Sequence, residues 1–120
     1  MLSSFRDLDF YRDAYQLGLE IHRFTLGLPR CEQMGGLATQ MQRASKRIPA
    51  VIAEGWGRRE NPREFKHFLA IAASSGLEMQ VHLDYCRDLG YLKSELHDDW
   101  QQRYDSVIRR TIAFSKRWER

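Results

Sequence analysis

Residues 61–90, NPREFKHFLAIAASSGLEMQVHLDYCRDLG, decide the fold, because the stretch carries the punctuation of both ends of one long helix. Asn61 can cap the first turn with its side-chain oxygen. Pro62 takes the first helical position, where its missing N–H costs nothing, and Glu64 follows three residues after the cap. Gly90 stands just past the end, where helices commonly close on a left-handed residue. Between these marks, at 100° per residue, Phe65, Phe68, Leu69, Ala72, Gly76, Met79, Leu83 and Cys86 form one apolar stripe suited to a bundle interior. Nothing in the stretch alternates with a period of two, so a strand is excluded.

The flanking sequence divides the same way. A fourth helix is expected from Ser94, with Asp98 and Asp99 early and Lys116 and Arg117 late, the order the helix dipole favours. Upstream, a second helix is expected to begin between Cys31 and Gly35 and to end near Gly57. Pro49 lies inside it and removes the hydrogen bond to the Ser45 carbonyl. A kink is expected rather than a break, because Leu37, Met41, Ala44, Ile48, Ile52 and Gly55 keep one apolar face through the proline. The first helix is expected from about Phe5 to Leu28, stopped by Pro29. The reading is one all-α domain over residues 1–120, a four-helix bundle with a proline-kinked second helix.

A chain of 120 residues can bury a core of this kind unaided. The N-terminus lacks the basic-then-apolar pattern of a signal peptide, and no apolar run approaches the ~20 residues of a membrane span, so a cytoplasmic protein with no membrane partner is expected. Cys31 and Cys86 provide neither a disulfide framework nor zinc spacing.

The net charge of +3 is small, but it is unevenly placed. Residues 41–66 carry seven basic and three acidic side chains, and residues 103–120 carry six and two. Residues 67–102 sum to −4. Two basic zones therefore flank an acidic one.

The first and third helices have more apolar surface than one bundle can cover. On the third, Ala70, Ser74, Leu77, Val81 and Tyr85 form a second stripe opposite the first. On the first, Leu8, Tyr11, Tyr15, Leu19, His22 and Leu26 share one side, and Phe10, Ala14, Leu17, Ile21, Phe24 and Leu28 another. Helices apolar on two sides need cover on two sides, which points to self-association. The expected subunit contacts are Phe10, Leu17, Ile21 and Phe24 with Ala70, Leu77, Val81 and Tyr85.

Candidate chemistry concentrates on the second helix, where Arg43, Lys46, Arg47 and Arg58 fall opposite Leu37, Met41 and Ile48. Arg59, Arg63 and Lys66 follow at once. Such a cluster can neutralise several phosphates and bind RNA or DNA with little sequence preference. The alternative is a solvated face, partly neutralised by Glu54 four residues before Arg58. Trp56 could stack on a base, or pack at the helix end as such residues more often do. The four histidines form no close metal pair. Glu78, His82 and Cys86 share a helical face, but Cys86 belongs to the apolar stripe. No cofactor, metal or catalytic residue is expected, since no Glu-x-x-His pair, nucleophile triad or phosphate loop is present.

The second helix also carries a recognisable pattern: Gln40-Met41-Gln42-Arg43-Ala44, Ile48-Pro49-Ala50, then Ile52-Ala53-Glu54-Gly55-Trp56-Gly57-Arg58. It resembles the signature of the four-helix-bundle family of proteins encoded in 23S ribosomal RNA intervening sequences. Phe5-Arg6-Asp7-Leu8, Leu28-Pro29 with Glu32, Glu64-Phe65 with Phe68-Leu69, and Leu89-Gly90-Tyr91-Leu92 extend the likeness over most of the chain. The resemblance implies a left-handed, antiparallel up-down-up-down bundle, ring-like homo-oligomers that are pentamers, and no established enzymatic activity. It is distantly similar to accessory proteins of diversity-generating retroelements, which associate with a reverse transcriptase and RNA through a basic surface, and this supports nucleic-acid binding by analogy. Arg47 and Val51 depart from the family's usual Ser and Asn. The first adds to the basic stripe, and the second removes a polar group. The expected protein is a non-enzymatic homo-oligomer that binds RNA, DNA or a ribonucleoprotein, or a nucleic-acid-processing protein. The alternative is a protein-binding adaptor that makes no nucleic-acid contact.

Overall fold

In a computed structural model, which describes residues 2–118, four α-helices pack as an all-α bundle with no strand among the described residues. They are α1 (Asp9–Thr25), α2 (Leu37–Trp56), α3 (Pro62–Asp88) and α4 (Ser94–Arg117). Each packs against two neighbours, in the order α1, α2, α3, α4 and back to α1, and the diagonal pairs do not meet.

The punctuation of α3 works as its residue types require. Asn61 Oδ1 accepts from the Glu64 N–H at 3.3 Å, Pro62 opens the helix, and Gly90 follows with φ +83°. The first helix is shorter than expected at both ends. Ser4 and Asp7 form a capping box around a single 3-10 turn, Phe5–Asp7, after which extended Leu8 restarts the chain. At the other end Gln33 Nε2 donates to the Thr25 and Leu28 carbonyls, both at 2.9 Å, satisfying groups that a longer helix would have used internally. A second 3-10 turn, Arg30–Glu32, precedes α2 and delays its start. Glu32 then accepts from the Leu37 N–H at 3.0 Å and from the Tyr91 hydroxyl at 3.0 Å, tying the start of α2 to the turn after α3. Through Pro49, α2 runs as one helix.

Phe65 anchors one end of the core. It has no exposed surface and meets Trp56, Phe114 and Trp118 edge-on at centroid distances of 6.1, 6.0 and 5.0 Å. Close approach of α2 and α3 here depends on Gly55, where an added Cβ would lie 2.7 Å from Phe68 Cβ. That atom is fixed to its backbone, so the two helices would have to separate. Gly55→Ala is therefore expected to lower stability by about 1–2 kcal/mol despite the helix propensity gained, as measured by urea unfolding.

The structure corrects one expectation. Phe10, Leu17 and Ile21 are 2%, 0% and 0% exposed, and Phe24 packs edge-on against Trp100 at 5.3 Å. Side chains already sealed inside their own chain have no surface left for a second copy, so Phe10, Leu17 and Ile21 are core and not subunit contacts, while Phe24 is half-buried. The outward stripe of α1 is the other one, with Tyr15 at 52% and Leu26 at 63% exposed. On α3 the expected stripe is open: Ala70 is exposed, and Leu77, Val81 and Tyr85 are 55%, 53% and 58% exposed.

Candidate nucleic-acid interface

The outward side of α2 presents Arg43, Lys46, Arg47, Ala50 and Glu54, all exposed. Arg43 and Arg47, one turn apart, have no carboxylate partner among the described residues. Arg47 overhangs a shallow groove of about 260 Å³ between α2 and α3, lined also by His67, Ser74, Ser75 and Glu78. Two guanidiniums with uncommitted donors, that of Arg47 beside an open groove, can each take a phosphate oxygen pair.

The other candidates are differently placed. Lys46 Nζ contacts His22 Nδ1 at 3.0 Å, at the α1 edge of α2. Arg58 is paired with Glu64 at 3.1 Å and not with Glu54, and its guanidinium lies over the Phe68 ring at 5.5 Å. Arg59 donates to the Trp56 carbonyl at 2.9 Å and covers the Trp56 ring at 4.3 Å. Arg63, exposed on the first turn of α3, again has no carboxylate partner among the described residues.

Lys66 leaves the group altogether. It stands eighteen residues, five full turns, before Asp84, and Asp84 accepts from His97 of α4 at 2.8 Å. Lys66 is therefore on the edge of α3 that faces α4, away from α2. Trp56 is buried against Phe65 and Trp118, so it packs at the helix end and is closed to a base.

Glu78, His82 and Cys86 do not converge on a common point. Glu78 and His82 pair at 3.0 Å, while the Cys86 thiol points into the core against Met41 Sδ at 3.5 Å. Burial pushes that thiol up to about 11.

In the second basic zone Arg103, Arg109 and Arg110 are spent on internal pairing, while Lys116 and Arg117 are exposed with no ion pair among the described residues. Arg103 grips Glu20 with both terminal nitrogens at 2.8 and 2.6 Å and reaches Asp99 at 3.2 Å. Arg110 pairs with Asp13 at 2.6 Å and Asp9 at 3.3 Å, and Arg109 with Asp105 at 2.8 Å. Glu119 and Arg120 of that zone lie outside the described residues. The uneven charge in the sequence thus resolves into an open basic face on α2, an acid–base seam between α1 and α4, and exposed Lys116 and Arg117 at the end of α4.

Glu20 is the centre of that seam. The Arg103 guanidinium holds its carboxyl down at about 2, with Trp100 and Gln16 adding hydrogen bonds against the opposing effect of burial. Folding therefore keeps protons off Glu20. The stabilisation is complete above the ordinary value of 4.5 and is lost as pH falls from there through about 2. With the side chain 27% exposed, Glu20→Gln is expected to cost roughly 1–2 kcal/mol at pH 7 and almost nothing by pH 2. Thermal unfolding followed across that window checks the sign.

Arg43, Lys46 and Arg47 stand exposed on α2 as their spacing predicts, whereas the open side of α1 is the one opposite to that expected for subunit contacts. The missed residues are Tyr11, Tyr15 and Leu19, which with Gly18, Pro49 and Ala50 line a groove of about 550 Å³ between α1 and α2. A signal was present in the acidic arc of α1, for Asp9, Asp13 and Glu20 face arginines of α4 rather than solvent.

Comparison with known proteins gives two findings. The profile of the family described as 23S rRNA-intervening sequence protein matches residues 6–113. The fold is similar to the crystal structure of a protein of unknown function from the S23 ribosomal protein family of Bacteroides thetaiotaomicron. That likeness has a TM-score of 0.79 at 17% identity, over 89% of this chain and 95% of the other. No curated protein matches.

Proposed function

Because the chain belongs to the 23S rRNA-intervening sequence protein family, we propose that it is a non-enzymatic, ring-like homo-oligomeric scaffold that binds RNA or a ribonucleoprotein through the basic face of α2. The observation that carries this reading is the pair Arg43 and Arg47, exposed, a turn apart and free of carboxylate partners among the described residues. On α4, by contrast, Arg103, Arg109 and Arg110 are each paired with a carboxylate. Two unpaired arginines one turn apart, one of them beside an open groove, suit a polyanion, which supplies the missing negative charge and releases counterions on binding. Assembly repeats the patch in every subunit and multiplies weak contacts by effective concentration. Five copies is the number implied by the sequence resemblance.

In this reading the arginines meet the phosphate backbone, the contact that carries affinity with little sequence preference. Filter binding of the purified protein to mixed-sequence RNA tests the reading, with retention expected at about 50 mM salt and a steep fall by about 200 mM. Absence of retention at low salt defeats it. A pull-down whose captured protein survives nuclease would instead favour an adaptor that meets an acidic protein.

A further inference from the structure

Aromatic rings gather at the end of the bundle where α1 and α3 begin and α2 and α4 finish: Phe10, Trp56, Phe65, Phe114 and Trp118. The core does not use all of their surface. Phe10, Trp56 and Phe65 are buried, whereas Phe114 and Trp118 are half-buried, with ring centroids 5.6 Å apart and planes 34° apart. Beside them a pocket of about 370 Å³ opens between α1 and α4, lined by Asp9, Phe10, Arg110, Phe114, Arg117 and Trp118. That volume falls within the range of small-ligand sites.

The charge around the pocket selects what can enter. Arg110 is committed to Asp9 at 3.3 Å and Asp13 at 2.6 Å, so the Asp9 carboxylate is neutralised from within the chain. Lys116 and Arg117 are exposed with no ion pair among the described residues, on a helix whose other three arginines are paired. A further cation stands close by, since Arg59 covers Trp56 at 4.3 Å and the Trp56 ring meets Trp118 at 6.2 Å. The pocket thus combines open aromatic surface with cations at its rim. An uncharged apolar ligand would leave those cations unanswered. A nucleotide unit answers both, because its base has a π-face to lay on a ring and its phosphate meets a guanidinium. Bases in a duplex are stacked on one another, so the unit must come from an unpaired stretch.

We infer that this pocket takes an unpaired base of single-stranded RNA against Phe114 and Trp118, with Arg117 on the adjoining phosphate. The inference rests on the RNA-binding reading and adds the strandedness of the ligand to it. The arginines on the outward side of α2 meet the backbone of any RNA, and the separate pocket between α1 and α4 favours a single strand.

The test compares a uridine oligonucleotide of about ten residues with an RNA duplex of equal phosphate count, by fluorescence anisotropy at one salt concentration. The readout is the ratio of the two affinities. Trp118→Leu is expected to lower that ratio about tenfold from the wild-type value, the worth of roughly one stacked base, and to bind the duplex as the wild type does. Trp118→Phe keeps a ring and should keep the ratio. It should also lose the quenching of tryptophan fluorescence that the single strand causes in the wild type, because Trp56 and Trp100 are buried. Since Trp118 also packs on Phe65, Ala113→Glu provides a second route: Ala113 lines the same pocket, every ring stays in place, and the ratio should fall likewise. Circular dichroism checks that each variant is folded. A ratio unchanged in both Trp118→Leu and Ala113→Glu overturns the pocket and leaves the α2 reading standing. Single-strand binding that Trp118→Leu weakens and reversal of Arg43 and Arg47 does not would overturn the α2 reading instead. A wild type that binds neither RNA defeats both.

Discussion

Replacing Arg43 and Arg47 together by glutamate is expected to reduce RNA retention at low salt on the order of 100-fold, with no change in helicity or thermal stability. The size follows from what is reversed. Each arginine offered to a phosphate supplies attraction and counterion release, and a carboxylate in its place supplies repulsion at the same spot. Stability should hold because both side chains are exposed and take part in no described ion pair, so the fold does not depend on them. The milder change to alanine should instead lower the slope of log affinity against log salt by about 2, one for each phosphate no longer neutralised. Lys66→Glu provides the control. It changes the net charge in the same direction, but on the α4-facing edge of α3, so retention should be nearly unaltered. If Lys66→Glu weakens binding as much as the arginine reversal, the effect is one of overall charge and the α2 face has no special role.

Phe65→Ala is expected to be the most damaging single truncation, costing about 3–5 kcal/mol. The residue is fully buried and joins α2, α3 and α4 through three edge-on aromatic contacts, to Trp56, Phe114 and Trp118. Loss of the ring removes transfer energy and leaves a space that the flat neighbours cannot fill without losing their own geometry. For a domain whose whole stability is about 5–15 kcal/mol, that is a large share. With a urea m-value of about 1.5 kcal/mol/M, the midpoint should fall by roughly 2–3 M at constant chain concentration. A loss below about 1 kcal/mol would mean that the aromatic cluster at this end is not packed as described.

Gly55 and Glu20 bear on the same architecture from other sides. Gly55 permits the close approach of α2 and α3 at the Phe65 end of the core. Glu20 draws Arg103 into the α1–α4 seam, which is why that arginine is not available on the surface.

Much of this is legible in the sequence. Helix α3 could be bounded at both ends because Asn61, Pro62, Glu64 and Gly90 act through local backbone chemistry, each within a turn of where it stands. The start of α4 at Ser94 and the basic side of α2 followed from periodicity and charge order, which are also local. The ends of α1 were less legible, because the Ser4–Asp7 capping box and the reach of Gln33 to two carbonyls compete with simple helix continuation.

What the sequence determined by itself was therefore the all-α class, the helix count, the uneven charge and the existence of two apolar stripes on α1 and α3. Which stripe of α1 faces inward was decided only by tertiary structure. A helical wheel treats two apolar arcs alike, and the choice fell to contacts between residues far apart in the chain. Glu20 and Asp13 reach arginines 83 and 97 positions away, at 2.6 Å in both cases. Those pairs turn the acidic arc of α1 toward α4, press Leu17 and Ile21 into the core and leave Tyr15 and Leu26 outside. Tertiary pairing likewise drew Arg103 and Arg110 into the α1–α4 seam and left Arg43 and Arg47 exposed on α2.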